Sequence, residues 1–279
     1  MARPLRIEFP GALYHVTARG NERKPIVRDD SDRELWLQCL ERVVSRFGWV
    51  LYAYCLMGNH FHLVAETPRP NLARGMRELN GVYAQGFNRR HRRAGHLFGG
   101  RYSALLVNRE GHLLEVSRYV VLNPERVAVP SERYDRYEWS SYRATAGLAP
   151  APGFLACERV LALFADEGSE AMRRYRAFVR AGLHGRDPKQ ELVGTIYLGD
   201  KEFARRWRRR GAASSEVPRR QREPIRCSLE ELLRRGSGDA LAVARRDGYS
   251  LRELAAVLGV HYSTVSRRME AEEQALGLR

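Results

Sequence analysis

Cysteine is scarce in this 279-residue sequence, and its placement cannot build a framework: Cys39, Cys55, Cys157 and Cys227 stand far apart and form no C-x-x-C pair. That spacing excludes a zinc ribbon and signals no disulfide scaffold, so the four read as reduced core residues of a cytosolic chain. Long hydrophobic runs are missing too. No stretch approaches 18 apolar residues, and Met1-Ala-Arg-Pro-Leu-Arg leads into Ile7-Glu8-Phe9-Pro10 without an apolar signal region, so neither membrane insertion nor export is expected. Acidic residues are outnumbered: 33 Asp and Glu face 48 Lys and Arg, a formal net charge of +15. Most of the positive charge is arginine, which binds phosphates bidentately and stacks on bases, so a polyanion is the expected partner. A GC-rich genome or a membrane-surface role are the blander readings; the first explains arginine over lysine but not the excess of bases over acids. Hydrophobic residues at 44% and charged residues at 29% describe a globular protein with room for one good core and a smaller second unit.

Residues 12–19 carry β-branched and aromatic side chains between Pro10-Gly11 and Gly20-Asn21, which reads as a first strand. Asp29-Asp30-Ser31 can cap a helix over about 32–47, followed by a strand at about 49–56, a tight turn at Met57-Gly58-Asn59 and a third strand ending near Thr67-Pro68. A second helix runs from Asn71 to about Arg92, a fourth strand from Tyr102 to Asn108, and a third helix from near Glu110 to Asn123-Pro124, where the proline disfavours a helical residue before it. The order β-α-β-β-α-β predicts an α+β fold: a ferredoxin-like, four-stranded antiparallel sheet with its helices on one face, the middle strands lying under the open face.

The third strand holds His60-Phe61-His62. Side chains alternate along a strand, so the two imidazoles share one face while Phe61 and Leu63 enter the core on the other. Two adjacent imidazoles suit a divalent cation if a third ligand arrives from elsewhere; two hydrogen-bonded surface histidines are the alternative. In the third helix Tyr119 and Asn123, four residues apart, lie on one face. Asn123 can offer a carbonyl oxygen to a cation and Tyr119 a phenol beside it, positioned for in-line attack on a phosphodiester. The alternative is a tyrosine at the core rim and an asparagine closing the helix before Pro124.

In order and spacing, Arg19-Gly20-Asn21, Met57 to Val64, Leu97-Phe-Gly-Gly-Arg101-Tyr102 and Arg118-Tyr119-Val-Val-Leu-Asn123-Pro124 resemble the IS200-like single-tyrosine transposases of the HUH superfamily. The REP-associated tyrosine transposases are the nearest group, and the resemblance covers residues 5–145, with Trp139-Ser-Ser-Tyr142 its last landmark. It implies that His60 and His62 bind Mg²⁺ or Mn²⁺, that Asn123 replaces a third ligand that is glutamine in the IS200 group, and that Tyr119 is the nucleophile. The implied activity is cleavage of single-stranded DNA beside a hairpin, leaving a 5′-phosphotyrosine link and a free 3′-hydroxyl. Two departures are Gly58, commonly proline, and Glu125 to Ala128, where Val-Arg-Ala is frequent; neither removes a catalytic group.

Arg19, Asn21, Arg23 and Lys24 follow the first strand, Arg89 to Arg93 end the second helix, and Arg101-Tyr102 opens the fourth strand, a mixture suited to phosphate contacts and base stacking. Between Lys201 and Arg226 ten basic residues face three acidic ones around Pro218, which reads as a basic, partly mobile linker. Ser250-Leu-Arg-Glu253 is a capping box, and Gly259 separates it from a last helix beginning at His261. That stretch resembles the helix-turn-helix of replication-initiator and Trp-repressor-like domains, with Val260 and Val265 as anchors and Tyr262, Ser263, Thr264, Arg267 and Arg268 toward a DNA groove. An αα-hairpin for protein contact is the alternative. The expected organisation is a catalytic domain at 1–148, a helical extension at 149–200, the linker at 201–226 and a small all-α DNA-binding domain at 227–279. A cytoplasmic, nucleoid-associated monomer or homodimer follows. A strand transferase is the leading expectation; a non-catalytic DNA-binding regulator and a structural RNA-binding protein are the others.

Overall fold

The computed structural model describes residues 7–126, 133–193 apart from 184 and 186, 196–211, 251–275 and a few positions between 229 and 249. One compact unit comprises Arg6–Leu192 and Ile196–Asp200; a second contains the residues from Lys201 onward. No helix among the described residues is long and apolar enough to cross a membrane.

The first unit is built on β1 (Ala12–Arg19), α1 (Asp30–Phe47), β2 (Val50–Leu56), β3 (His60–Thr67), α2 (Leu72–Arg90), β4 (Ser103–Val107) and α3 (Arg109–Val121). Asp29 caps α1 by accepting a hydrogen bond from Asp32 N, and Gly48 ends it in the left-handed conformation. α3 stops at Leu122, and Pro124 falls in the first turn of a short helix, α4 (Asn123–Arg126), where a missing N–H costs nothing. Three further helices follow: α5 (Tyr142–Thr145), α6 (Cys157–Leu161) and α7 (Gly168–Ala181).

The sheet order is β2-β3-β1-β4-β6-β5, with β5 (Leu192–Val193) and β6 (Tyr197–Leu198) as short additions, β6 running parallel to β4. The sheet therefore has six strands rather than the expected four. Two-residue strands bury too little to leave a periodic trace in sequence. The helices also lie on both faces rather than one. On one side Trp36 of α1 packs against Phe61 with ring centroids 5.0 Å apart, and Leu63, Val16 and Met76 are fully buried. On the other, Val116 and Val120 of α3 join Leu13, Cys55, Val64 and Val107 in one apolar cluster. Alternation alone placed Phe61 and Leu63 away from the histidines, and the registers Thr17↔His62 and Arg19↔His60 bear that out.

The outer edge of β2 is covered rather than left open to pairing. Leu56 N donates to Trp139 O at 2.9 Å, Ser141 N to Tyr54 O at 2.9 Å and Ala156 N to Leu51 O at 2.8 Å. At the opposite corner of the fold the start of α1 is clamped to the end of α2. Arg90 Nη1 donates to Asp29 Oδ1 at 2.5 Å and to Asp32 Oδ1 at 2.7 Å, and His91 Nε2 lies 2.8 Å from Asp32 Oδ2.

In the second unit, residues Lys201–Gly211, the start of the stretch read as a basic linker, form a helix, α8. The remainder of the expected linker, Cys227 and most of the start of the expected all-α domain lie outside the described residues. α9 (Leu251–Leu258) and α10 (Tyr262–Ala275) are joined through Gly259 at φ +64°, a conformation that only glycine adopts cheaply. Leu254 and Val265 are fully buried between them, with Val260 packed alongside.

Candidate active site and nucleic-acid surface

The strand alternation that buries Phe61 delivers a second row of side chains to the α3 face. His15, Thr17 and Arg19 of β1 share it with His60, His62, Val64 and Glu66 of β3, because cross-strand partners point the same way. His60 and His62 are 5% and 3% exposed, their rings edge to face with centroids 5.0 Å apart. They are thus covered by α3, not set on an open face.

Each imidazole is held through Nδ1. His60 Nδ1 lies 2.7 Å from Asn59 Oδ1. His62 Nδ1 lies 2.9 Å from His15 Nε2 and 3.2 Å from Thr17 Oγ1. His15 stacks on His62 with centroids 5.2 Å apart. His15 was not legible as a site residue, since a lone histidine in an apolar strand is ordinary; its i, i+2, i+4 spacing with Thr17 and Arg19 was the available signal.

α3 brings Tyr119 onto this group. Its ring lies 5.8 Å from that of His15 and 6.1 Å from that of His62, edge-on to both, and is 8% exposed. Burial, then the carboxylate of Asp187, push its phenol up to about 12 from an ordinary 10.0, while the Arg126 and Arg19 guanidinium groups pull the other way. Tyr119 Oη donates to Asp187 Oδ2 at 3.3 Å, and Arg126 sits over the ring, 4.8 Å from its centroid. Asp187, from the segment after α7, carries no sequence motif and was found only by the fold.

Asn123 is 4% exposed, and its Nδ2 donates to the carbonyls of Tyr119 at 3.0 Å and Val120 at 3.2 Å. The amide nitrogen is therefore spent on closing α3, which leaves the amide oxygen as its acceptor. Imidazole nitrogen and amide oxygen form a donor set that fits Mn²⁺ or Mg²⁺. A different trio, Asp29, Asp32 and His91, has ligand atoms all within 4.8 Å of one another. Arg90 and the backbone N–H groups of Asp32 and Arg28 already donate to those carboxylates, so this cluster is a clamp between helices.

The basic residues gather at the His60 end of the sheet. Arg19, Arg23, Lys24 and Arg101 are exposed, Asn21 and Tyr102 half-buried. Three loops are stitched together there: Gly20 N donates to Asn59 O at 2.8 Å, Asn21 N to Leu97 O at 2.9 Å and Gly99 N to Arg19 O at 3.0 Å. A Cβ on Gly20 would sit 2.0 Å from Lys24 O, so the turn closes only with glycine. In the second unit Tyr262, Arg267 and Arg268 of α10 are exposed, and Ser263 and Thr264 are half-buried.

An α+β domain with paired histidines facing a helix-borne tyrosine, beside a basic rim, is the class this geometry defines. Residues 9–123 match the family described as "Transposase IS200 like". Comparison with curated proteins gives no match. Among solved structures, the chain is similar to a REP-associated tyrosine transposase bound to a REP hairpin, at 14% identity over 54% of this chain and 89% of that one, TM-score 0.47. It is also similar to a Deinococcus radiodurans protein assigned as a transposase, at 19% identity over 42% of this chain and 95% of that one, TM-score 0.31.

Proposed function

We propose that this protein is a DNA strand transferase that cuts and rejoins single-stranded DNA next to a hairpin, with Tyr119 as nucleophile. The observation that carries this reading is the placement of the Tyr119 ring against His15 and His62 inside the transposase-family domain. His60, His62 and the Asn123 oxygen would hold a Mg²⁺ or Mn²⁺ ion, which in such a site polarises a phosphodiester. Tyr119 Oη attacks phosphorus, the bond to the 3′-oxygen breaks, and the chain keeps a 5′-phosphotyrosine link. The proton lost by the phenol balances the one gained by the departing 3′-oxygen, and the reverse attack by another 3′-hydroxyl rejoins DNA without ATP. Arg19, Asn21, Arg23, Lys24, Arg101 and Tyr102 hold the strand by phosphate contact and stacking. In the second unit the α9–Gly259–α10 pair supports a helix-turn-helix reading, with Tyr262, Ser263, Thr264, Arg267 and Arg268 on duplex DNA.

A second reading, a regulator that binds hairpin and duplex DNA without cutting, is favoured by one observation: Asp187 helps hold the proton on the Tyr119 phenol. A panel of labelled hairpin oligonucleotides with Mn²⁺ separates the two. The transferase reading expects a covalent adduct with wild type, none with Tyr119→Phe, and retained binding by both. Binding without cleavage across the panel decides for the regulator.

A further inference from the structure

The side chain of Asn59 touches both the basic loop after β1 and the first histidine of the pair. We propose that Asn59 is a positioning residue: it fixes His60 in the Nδ1–H tautomer, so that Nε2 carries the lone pair for a cation, and it locks that imidazole to the loop bearing Arg23 and Lys24. The proposal rests on the reading of His60 and His62 as cation ligands.

The tautomer follows from a chain of donors. Asn59 Nδ2 donates to the carbonyl of Arg23 at 3.0 Å, which settles which end of the amide faces which way. Oδ1 is then the end that lies 2.7 Å from His60 Nδ1. An amide oxygen can only accept, so Nδ1 must carry the hydrogen, and a neutral imidazole with N–H at Nδ1 has its lone pair on Nε2. Outer partners of this kind orient metal-binding histidines and raise their basicity. At His62 both Thr17 Oγ1 and His15 Nε2 can donate or accept, so those two contacts do not fix its tautomer.

The lock to the loop is mechanical as well as polar. Gly20 N donates to Asn59 O at 2.8 Å and Ile26 N to Gly58 O at 2.8 Å, so the main chain on both sides of Arg23 is pinned to the turn before β3. Glu22 and Arg23 themselves adopt positive φ, 55° and 60°, conformations that a non-glycine residue keeps only where its surroundings enforce them. The Asn59 to Arg23 hydrogen bond is one such enforcement. Movement of the loop on binding a phosphate chain would therefore act directly on the His60 ring.

The test uses the full-length protein. Long-range ¹H–¹⁵N NMR on ¹⁵N-histidine protein without metal, at about pH 8 where an ordinary imidazole is neutral, reads the His60 tautomer, assigned through His60→Gln. The wild type is expected as the Nδ1–H form, Asn59→Ala as a mixture, and Asn59→Asp, which keeps an acceptor oxygen, as the wild-type form. An Nε2–H tautomer in the wild type overturns the proposal. In calorimetric Mn²⁺ titrations Asn59→Ala is expected to bind about 10- to 100-fold more weakly, with most of the affinity restored in Asn59→Asp. Unchanged affinity in Asn59→Ala also overturns it. His60→Ala binding Mn²⁺ like wild type would instead remove the cation reading, and the tautomer measurement would still judge the Asn59 assignment separately.

Discussion

The two faces of one sheet are made by the same strands, yet they do opposite things. Phe61 and His62 are neighbours on β3; the first packs on Trp36 and the second on His15 and Tyr119. The α1/α2 face is filled mainly by apolar and aromatic side chains, among them Trp36, Phe61, Leu63 and Met76. Beside its apolar cluster the α3 face carries three imidazoles, a threonine hydroxyl, an arginine and the carboxylate of Glu66, every one of which brings a polar atom that must be satisfied or used. A two-residue period therefore separates the side of the strand that packs on α1 and α2 from the side that carries the proposed site.

Substitutions at adjacent positions should break this division cleanly. His62→Ala should abolish DNA cleavage and weaken Mn²⁺ binding by more than about tenfold, while costing about 1–3 kcal/mol of stability for the lost buried hydrogen bonds. Calorimetry for the ion and urea unfolding for stability measure the two effects in one sample. Phe61→Ala should do the reverse, costing about 3–5 kcal/mol through the cavity beside Trp36, with Mn²⁺ affinity of the folded fraction kept. If the two variants lost stability equally and both kept cleavage, the faces would not differ as described.

A smaller effect is expected from alkali. Burial pushes the phenols of Tyr52, Tyr54 and Tyr119 up to about 12 in the first unit. A phenol whose folded value lies above its unfolded value of 10.0 contributes fully below that value and loses the contribution as pH rises toward 12. The first unit should therefore lose stability between pH 10 and 12, with urea midpoints falling. The smallest effect falls on the rim: Arg23→Ala should lower the salt dependence of hairpin binding by about one unit of log–log slope and leave the site itself unchanged.

Much of this division was readable before any coordinates. Period-two alternation fixed the face of Phe61, Leu63 and the two histidines, and caps and prolines fixed helix ends to within a few residues, as at Asp29 and Pro124. What escaped was long-range. Nothing local tells that α3 crosses the histidine face, that β1 lies beside β3 so His15 meets His62, or that Asp187 returns from beyond α7 to reach Tyr119. Likewise the helical conformation of the arginine-rich 201–211 segment, α8, was not readable, because charge masks helical periodicity.

The account turns on whether Tyr119 carries DNA. Incubation of the protein with a hairpin oligonucleotide and Mn²⁺, followed by nuclease trimming, proteolysis and mass spectrometry, identifies the linked residue directly. The expected result is a 5′-nucleotide phosphate on the peptide containing Tyr119 and no other. A nucleotide on a different tyrosine, or cleavage products with no protein-linked nucleotide at all, would contradict it.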